Sequence, residues 1–451
     1  MSEEKTKTGL DRRSFLKVSA AVGAAASTGL LNPQTSSSQE KVSKADEINV
    51  ALLGTGAQGQ VLMNAMLRIP GVRFKAVCDI WRDYNQKRAA RMLKKYGHDV
   101  NRYEDYRMML DREKNLDAVI VATPDFWHSR HTVDSLNAGF HVYCEKEMAN
   151  TLEGARRMVQ AARKTGKLLQ IGHQRRSNPR YIHCYEKLIK EANILGRVTT
   201  INAQWNRAVQ KDLGYPQKYA IPVATLKKYG FTSMEQFRNW RWYKGLGGGS
   251  IVDLGAHQID VFNWFLDTPP YSVMASGGTD YYTPKDHEWY DTVQALFEYK
   301  TKDGMVRAFY QTITTNSSQG YFENFMGDQA TLNISESAGR GGVYNEPNAP
   351  DWRKWVEMGY LSAPKEEEKQ AAEVVLDVRE TVTPPEHGIP VEFNDLYHRP
   401  HLMNFFNSIR GLEKLNCPAE MGYESAVSVL KVNEAVAAGR RIYFDPKEFH
   451  I

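Results

Sequence analysis

The segment 54–59 constrains the fold more than any other part of the chain, because its letters Gly-Thr-Gly-Ala-Gln-Gly fit the pattern G-x-G-x-x-G. It directly follows the apolar run 48–53 and precedes a predicted helix over 60–68. In such a strand–turn–helix unit the glycines permit a tight turn, close approach of a pyrophosphate, and close packing of helix on strand. A glycine-rich turn without a ligand is the alternative. The context favours a dinucleotide site formed by Gly54, Gly56, Ala57, Gln58 and Gly59.

Short apolar runs alternate with amphipathic segments from residue 47 to about residue 170. Alternation of this kind is typical of βαβ units around a parallel sheet. The sequence therefore predicts a doubly wound Rossmann domain over 47–170 and a second domain over 171–451. Strands are predicted at 72–77, 117–122, 141–144, 168–171, 198–205 and 292–299, and a further helix at 128–138.

The first 46 residues have the composition of an export signal followed by a linker. An Asp-Arg-Arg-Ser-Phe-Leu-Lys run at 11–17 precedes an uncharged apolar run of small residues at 18–31. This arrangement resembles a twin-arginine signal, and the apolar run is shorter than the ~20 residues that span a bilayer. We predict a signal at 1–31, a polar linker at 32–46, and export to the periplasm through the twin-arginine machinery. Membrane anchoring by an uncleaved signal is the alternative.

Charge and cysteine content exclude two classes of protein. The formal net charge is +5, and the first 45 residues supply a surplus of three positive charges. Because binding to nucleic acid needs a concentrated basic face, the nearly neutral remainder argues against a nucleic-acid partner. The cysteines are too few and too scattered for a disulfide framework, so we predict free thiols. They are Cys78, Cys144, Cys184 and Cys417.

Two residues beyond the second predicted strand bear on the choice of coenzyme. Asp79 directly follows the strand, where a carboxylate accepts hydrogen bonds from the adenosine ribose, which favours NAD. Arg82 is able to pair with a 2′-phosphate, so NADP stays open.

Three runs of the first domain and one of the second fit the motifs of a known family. They are Ala-Thr-Pro-Asp-Phe-Trp-His at 122–128, Ala-Gly-Phe-His-Val at 138–142, Glu-Lys at 145–146, and Asp-x-Gly-x-His at 253–257. The chain after the linker resembles the glucose-fructose oxidoreductase, inositol dehydrogenase and MocA family, in its twin-arginine-exported bacterial type. The resemblance implies an α/β second domain with a large, open, mostly antiparallel sheet, through which family members form homo-oligomers. It also implies coenzyme contacts from Thr123, Pro124, Trp127, His128, Glu145 and Lys146.

Lys146 is a candidate catalytic residue. A Lys just past the carboxyl end of a parallel strand points into the crevice where such sheets bind ligands, whereas the alternative is a surface Lys at a strand end. In the family, the Lys of a Glu-Lys-Pro motif contacts the nicotinamide ribose and the substrate hydroxyl. Here Glu147 stands in place of Pro and adds a carboxylate beside the ammonium.

Asp253 and His257 form the second candidate pair. Their spacing of four places them on one face of a helix, with Asp260 three residues further on. An imidazole is able to take a hydroxyl proton while hydride leaves the carbon. The resemblance makes His257 the general base, Asp253 the residue that orients substrate or imidazole, and Lys146 the group that polarises the hydroxyl. A hydrogen-bonded core histidine and a metal site are the alternatives, and with no third ligand cluster we predict no metal.

Three further residues are weaker candidates. Arg175 lies in a run, 172–179, that resembles the family's loop near the nicotinamide and substrate. Trp205 and Arg207 end a predicted strand, where an aromatic ring could stack on a sugar, although an ordinary sheet surface explains them equally well.

These features lead to an exported NAD(P)-dependent oxidoreductase as the main hypothesis. Such an enzyme would transfer hydride between the nicotinamide coenzyme and a carbohydrate substrate. The reacting group would be a secondary hydroxyl or ketone of a sugar, polyol or glycoside. Because an exported enzyme meets little free coenzyme, we expect the nucleotide to be tightly bound. The alternatives are an NAD-dependent glycosidase that acts by transient oxidation and elimination, and a catalytically silent carbohydrate-binding relative.

Overall fold

The computed structural model describes residues 47–337, 340–364 and 385–451. The predicted signal at 1–31 and linker at 32–46 lie outside the described residues.

Six parallel strands form the first sheet. They are β1 (Ile48–Leu53), β2 (Val72–Cys78), β3 (Asn101–Tyr103), β4 (Ala118–Val121), β5 (His141–Cys144) and β6 (Leu169–Ile171). Their order is β3-β2-β1-β4-β5-β6, which is the order of a Rossmann sheet and confirms the predicted fold class. All four residues of β4 are buried, as expected for a central strand covered on both faces.

Helices connect these strands and cover both faces of the sheet. They are α1 (Ala57–Met66), α2 (Lys87–Lys95), α3 (Tyr106–Arg112), α4 (Asp125–Asn137) and α5 (Leu152–Thr165). Helices α1 and α4 each begin three residues before the predicted start. The first turn of α1, at 57–59, carries small or polar residues, so the apolar periodicity that marks this helix begins only one turn later.

The second sheet has nine strands among the described residues. They are β7 (Val198–Asn206), β8 (Ser272–Gly278), β9 (Thr292–Thr301), β10 (Gly304–Ile313), β11 (Tyr321–Gly327), β12 (Ala330–Ile334), β13 (Gly341–Asn345), β14 (Glu386–His387) and β15 (Ile442–Tyr443). Their order is β14-β13-β12-β11-β7-β10-β9-β8-β15. Strands β7 and β10 pair in parallel and the other neighbours are antiparallel, which confirms the predicted open, mostly antiparallel sheet.

Further helices follow the first domain along the chain, and the next to last of them returns to it. They are α6 (Pro179–His183), α7 (Val223–Lys228), α8 (Met234–Arg238), α9 (Ala256–Leu266), α10 (Arg353–Glu357), α11 (Arg399–Ile409) and α12 (Ala419–Ala438). Helix α11 places Leu402, Phe405 and Phe406 in the core of the first domain, and the ring of Phe405 lies 5.9 Å from that of Tyr143. The first domain is therefore completed by residues near the other end of the chain.

The described part of the chain bears on the state of the cysteines and on the presence of membrane-spanning helices. Cys78, Cys144, Cys184 and Cys417 are free and buried, which confirms the prediction of core thiols. Among the described helices none combines the length and the apolar character needed to cross a membrane.

Candidate active site

A cavity of about 750 Å³ lies at the carboxyl edge of the first sheet and is closed from the other side by the second domain. Parallel sheets bind ligands at this edge. Most of the predicted site residues line the cavity. They are Gly54, Gly56, Ala57, Gln58, Asp79, Thr123, Pro124, Trp127, His128, Glu145, Lys146, Trp205, Arg207, Asp253 and His257.

The glycines of the 54–59 turn leave room where a pyrophosphate would lie. Gly54 has a φ of +93°, and a Cβ built on it would lie 2.5 Å from the carbonyl oxygen of Ala122. A Cβ on Gly59 would lie 2.0 Å from the carbonyl oxygen of Gly54, so Gly59 serves helix packing and does not line the cavity. At Gly56 the nearest atom would be 3.9 Å away, which leaves the backbone open. The turn and the N-terminus of α1 thus fit a dinucleotide.

Asp79 lies at the end of β2 and is held from two sides. Its Oδ2 accepts hydrogen bonds from the Thr55 amide at 2.8 Å and the Thr55 hydroxyl at 2.9 Å, and its Oδ1 accepts from the Trp81 amide at 2.7 Å. Burial raises the pKa of Asp79, while these hydrogen bonds oppose the shift. The carboxylate is therefore fixed beside the glycine turn, where the sequence predicts a contact with the adenosine ribose.

Arg82 does not join this site. Its side chain is 64% exposed, pairs with Asp83 at 3.5 Å, and is absent from the residues that line the cavity. The chain turns into a π-helical segment, Arg82–Gln86, directly after Trp81, and this turn directs Arg82 to solvent. The expected pairing of Arg82 with a 2′-phosphate therefore has no geometric support.

Lys146 and Asp253 meet inside the cavity. The Lys146 ammonium donates to the Asp253 carbonyl oxygen, and its Nζ lies 3.5 Å from Asp253 Oδ1. Arg241 Nε lies 3.0 Å from the same carboxylate oxygen, and Arg207 Nη1 lies 3.6 Å from the other. Despite burial, Arg241, Lys146 and Arg207 hold the pKa of Asp253 far below its ordinary value. Asp253 is therefore an anion that fixes three cations around the cavity.

His257 lies one turn further along the same segment. Its ring is 5.4 Å from that of Trp205, and its Nδ1 is buried without a hydrogen-bond partner among the described residues. Burial lowers the pKa of His257 well below 6.5, and the positive charges of Lys146 and Arg175 act in the same direction. The imidazole is consequently neutral at neutral pH and able to accept a proton.

The predicted helix face of Asp253, His257 and Asp260 is only partly correct. Asp253 lies in a π-helical turn, Ile251–Gly255, and α9 begins at Ala256. The wider turn directs the Asp253 carboxylate to Lys146, Arg241 and Arg207 and not to the imidazole. Asp260 is buried in an ion pair with Arg176 at 2.8 Å, outside the cavity.

Arg175 is also placed differently from the expectation. Its guanidinium is buried, donates to Glu323, and lies 3.0 Å from Glu336, and it is absent from the cavity wall. The run 172–179 includes a short 3-10 segment, Gln174–Ser177, which turns Arg175 toward the second sheet. Arg175 thus packs beneath the site and pairs with carboxylates of that sheet instead of contacting a coenzyme.

The candidate substrate residues Trp205 and Arg207 both reach the cavity. Trp205 stacks on Tyr321 with ring centroids 4.6 Å apart, and the Arg207 guanidinium lies 5.2 Å over the Trp205 ring. They form an aromatic and cationic wall beside Asp253 and His257.

Several cavity residues were not predicted from the sequence. Arg241 and Asp125 belong to the network around Asp253, and burial raises the pKa of Asp125 to about 7. His398 Nε2 lies 2.9 Å from Gln58 Nε2, although 340 residues separate them. Asp125 lies within the family run 122–128, which could have indicated it. Arg241 and His398 carry no local pattern, because only the tertiary fold brings them here.

Glu147, the residue in place of the family Pro, is buried directly behind Lys146. Its Oε1 accepts a hydrogen bond from the Met148 amide at 2.7 Å, and its Oε2 is buried without a partner among the described residues. Burial raises the pKa of Glu147 from 4.5 to about 8. The carboxyl group is therefore mostly protonated at neutral pH and adds little negative charge beside the ammonium.

This burial predicts a pH-dependent stability. The folded protein retains the Glu147 proton up to about pH 8, whereas the unfolded chain loses it near pH 4.5, so this group lowers stability increasingly between these values. Glu147→Gln resembles the protonated form and removes the effect. We therefore expect the free energy of unfolding of Glu147→Gln, minus that of the unaltered protein, to be larger at pH 8 than at pH 5. The increase should be on the order of 2 kcal/mol. Urea unfolding across this range checks it, and a pH-independent difference would contradict it.

No group of three or more His, Cys, Asp or Glu side chains within the described ranges is arranged to hold a metal ion. The chemistry of the cavity wall is that of a dinucleotide site next to a Lys, an Asp and a His.

Family models match three parts of the chain. The model described as an oxidoreductase family with an NAD-binding Rossmann fold matches residues 48–173, and the GFO/IDH/MocA C-terminal domain matches residues 187–333. A model of the twin-arginine translocation pathway signal matches residues 9–29, which supports twin-arginine export and agrees with the signal predicted at 1–31.

Characterised relatives cover different shares of the chain. "Glycosyl hydrolase family 109 protein 2" of Shewanella sp. (strain ANA-3) is 34% identical over 175 residues, which are 35% of this chain and 38% of that protein. The match thus spans well under half of that relative. "Inositol 2-dehydrogenase/D-chiro-inositol 3-dehydrogenase" of Shouchella clausii is 24% identical over 336 residues, which are 69% of this chain and 80% of that protein.

Solved structures share the fold over most of the described chain. An aldose-aldose oxidoreductase from Caulobacter crescentus complexed with glycerol has a TM-score of 0.64 at 18% identity, covering 88% of this chain and all of that one (100%). The WlbA dehydrogenase from Bordetella pertussis, in complex with NADH and UDP-GlcNAcA, has a TM-score of 0.63 at 18% identity. The match covers 88% of this chain and 98% of that one. Together with both domain models, these likenesses establish that the chain belongs to the Gfo/Idh/MocA oxidoreductase family, with an NAD-binding Rossmann domain.

Proposed function

We propose that this protein exchanges hydride between a bound nicotinamide dinucleotide and a secondary hydroxyl or ketone of a sugar, polyol or glycoside. The observation that carries the proposal is the contact of Lys146 with Asp253 beside His257, in the cavity that also contains the glycine turn. A cation, a carboxylate and a neutral imidazole beside a coenzyme site are the groups that hydroxyl oxidation requires.

Each of the three residues has a distinct role in the proposed reaction. His257 accepts the hydroxyl proton, for which its lowered pKa keeps the imidazole neutral. Lys146 donates a hydrogen bond to the same oxygen and stabilises the negative charge that develops there. Asp253 keeps the ammonium positioned through its contact at 3.5 Å. A bound nicotinamide supplies the hydride acceptor, or the donor in the reverse direction, at its C4 atom.

The aromatic and cationic wall beside Asp253 and His257 supports a carbohydrate as the substrate. Trp205 and Tyr321 present stacked aromatic rings to the cavity, and the apolar face of a sugar ring packs well on such a surface. Arg207 and Arg241 line the same region and offer hydrogen bonds to hydroxyl groups.

Two measurements on the purified full-length protein test this function. Denaturation should release NAD(H) or NADP(H), which chromatography of the supernatant identifies. Addition of sugars, polyols or glycosides to the folded protein should then change the nicotinamide absorbance. A protein that contains no nucleotide, and binds none when NAD⁺ or NADP⁺ is added, would contradict the proposal.

A glycosidase that acts by transient oxidation and elimination is the second candidate. It is favoured by the 34% identity over 175 residues to the glycosyl hydrolase family 109 protein. This reaction returns the coenzyme to its starting state, which suits an enzyme outside the cytoplasm. Release of a phenol from an aryl glycoside, with no net change in nucleotide absorbance, would favour it over the simple dehydrogenase.

The coenzyme proposed here is NAD, because Asp79 places a carboxylate where NADP would carry its 2′-phosphate. Asp79→Asn keeps an acceptor for the Thr55 amide and removes the charge. We expect the affinity for NADPH relative to NADH to rise about tenfold in this variant. Fluorescence titration measures both affinities, with Asp83→Asn as the control, because the Asp83 side chain is 61% exposed. An unchanged affinity ratio in Asp79→Asn would exclude this role.

A homo-oligomer is also proposed, through the outer face of the second sheet. Met274, Leu296 and Phe309 pair across three adjacent strands and form an apolar row on that face. Met274 and Phe309 are 39% and 36% exposed, respectively. Light scattering of the unaltered protein and of a Phe309→Glu variant tests this arrangement, which predicts a smaller mass for the variant.

A further inference from the structure

The segment 209–249 joins the end of β7 to the turn that carries Asp253, and it is unusually aromatic. Its aromatic residues are Tyr215, Tyr219, Tyr229, Phe231, Phe237, Trp240, Trp242 and Tyr243. We propose that this segment, here called the cover, binds the adenosine half of the dinucleotide, with Arg238 as a contact residue. The inference goes beyond the proposed reaction, since it concerns how the coenzyme is retained whatever the substrate.

Hydrogen bonds attach the cover to the first domain on both sides of the predicted adenosine site. Trp81, which follows β2, donates its indole N–H to the Tyr219 carbonyl oxygen at 2.5 Å. Trp127, in the first turn of α4, donates its indole N–H to the Tyr229 carbonyl oxygen at 3.1 Å. The strand ends of β2 and β4 flank the adenosine half of a nucleotide in this sheet order. The cover therefore spans the opening of that site.

Apolar packing holds the cover more firmly than hydrogen bonds alone. Leu226, Tyr229, Phe231 and Met234 of the cover and Trp81 of the first domain are buried together in a small core of their own. Trp81 is only 1% exposed. Because opening the cover would expose this core to water, the closed arrangement is strongly favoured.

The inner side of the cover faces the cavity. Tyr229, Phe231 and Arg238 line the same cavity as Asp79 and the glycine turn. They contribute aromatic surface and one cation to the part of the wall near β2. An adenine ring, which is flat and apolar on both faces, fits a wall of this composition.

Arg238 is the residue of the cover best placed to contact the adenosine half. Its guanidinium lies 5.3 Å over the Trp81 ring, and the Trp81 amide in turn donates to Asp79. Its Nε donates to the Gly214 carbonyl oxygen at 2.9 Å, which fixes the side chain. It forms no ion pair among the described residues, and burial lowers the pKa of Arg238, while the nearby Tyr84 and Asp212 oppose that shift. The terminal nitrogens and the face of the guanidinium turned away from Trp81 thus remain for a ligand.

The rate at which bound nucleotide is released tests the proposal. The full-length protein is loaded with NADH, an excess of NAD⁺ is added, and the decay of NADH fluorescence is recorded. We expect Arg238→Ala to release NADH about tenfold faster than the unaltered protein. Lys227→Ala is the matched control, because Lys227 is an exposed cation on the cover that does not line the cavity. Its release rate should equal that of the unaltered protein.

A second variant tests the attachment without removing a cavity cation. Trp81→Phe keeps an aromatic ring but removes the N–H that binds the Tyr219 carbonyl oxygen, and Trp81 does not line the cavity, so release should again be faster. Circular dichroism and thermal unfolding verify that each variant is folded, and if Arg238→Ala is not, Trp81→Phe decides alone. Release at the unaltered rate in the folded variants would overturn the proposal, as would equal acceleration in Lys227→Ala. Failure of the unaltered protein to bind NADH would instead overturn the coenzyme assignment.

Discussion

Replacing His257 by Asn is expected to lower kcat for substrate oxidation about 10²- to 10⁴-fold, while nucleotide remains bound. Asn fills a similar space and keeps a hydrogen-bonding group, but it cannot accept the hydroxyl proton. Because His257 lies outside the glycine turn and the Asp79 site, its loss should leave coenzyme affinity nearly unchanged.

The pH profile distinguishes loss of a base from a structural defect. Burial and the nearby cations lower the pKa of His257 well below 6.5, so the unaltered enzyme should keep its oxidation activity to pH values below that figure. At still lower pH the imidazole is protonated and unable to accept a proton, so the activity of the unaltered enzyme should fall. The residual activity of His257→Asn should not show this fall at low pH. His450→Asn, at an exposed position, is the control, and a His257→Asn enzyme with unchanged kcat would disprove the assigned role.

Replacing Arg175 by Ala is expected to lower the free energy of unfolding by about 3–5 kcal/mol. The substitution leaves two buried carboxylates, those of Glu323 and Glu336, without their cation. Burial already raises the pKa of Glu323 even with Arg175 present, so loss of the guanidinium makes ionisation still less favourable. The loss of stability should therefore be larger at alkaline than at acidic pH.

Urea unfolding measures this effect, and two comparisons sharpen it. Arg353→Ala removes an exposed pair with Asp351, which solvent screens, and should change stability far less than Arg175→Ala does. Folded Arg175→Ala should bind NADH as well as the unaltered protein, since Arg175 lies outside the cavity wall. A fully stable Arg175→Ala variant with weakened NADH binding would instead restore the role that the family resemblance suggested.

The parts of the fold that could be predicted from the sequence are those with local signals. The G-x-G-x-x-G run and the fully apolar strands report directly on burial and turn geometry, so β1, β4 and β5 lie where their patterns indicated. The contact between Lys146 and Asp253 was not evident from spacing, since 107 residues separate them. The family motifs at both positions nevertheless assigned the two residues to one site.

The remaining features depend on tertiary contacts that carry no local signal. The π-helical turn at Asp253 changes the direction of a carboxylate within an otherwise helical pattern. Arg82 and Arg175 are cations near the right motifs, yet one points to solvent and the other pairs with carboxylates of a distant sheet. The same holds for the cover, whose aromatic residues could have been interpreted as ordinary core until their partners on the first domain were located.

Helix α11 has a consequence for biosynthesis. Phe405 and Phe406 complete the core of the first domain, and His398 reaches Gln58 across 340 residues of sequence. During translation the export signal at 9–29 leaves the ribosome first, whereas the residues that finish the nucleotide-binding domain leave it among the last. The nucleotide-binding domain is therefore complete only after α11 has been synthesised, long after the signal, and a pathway that transports folded cargo suits this order of synthesis.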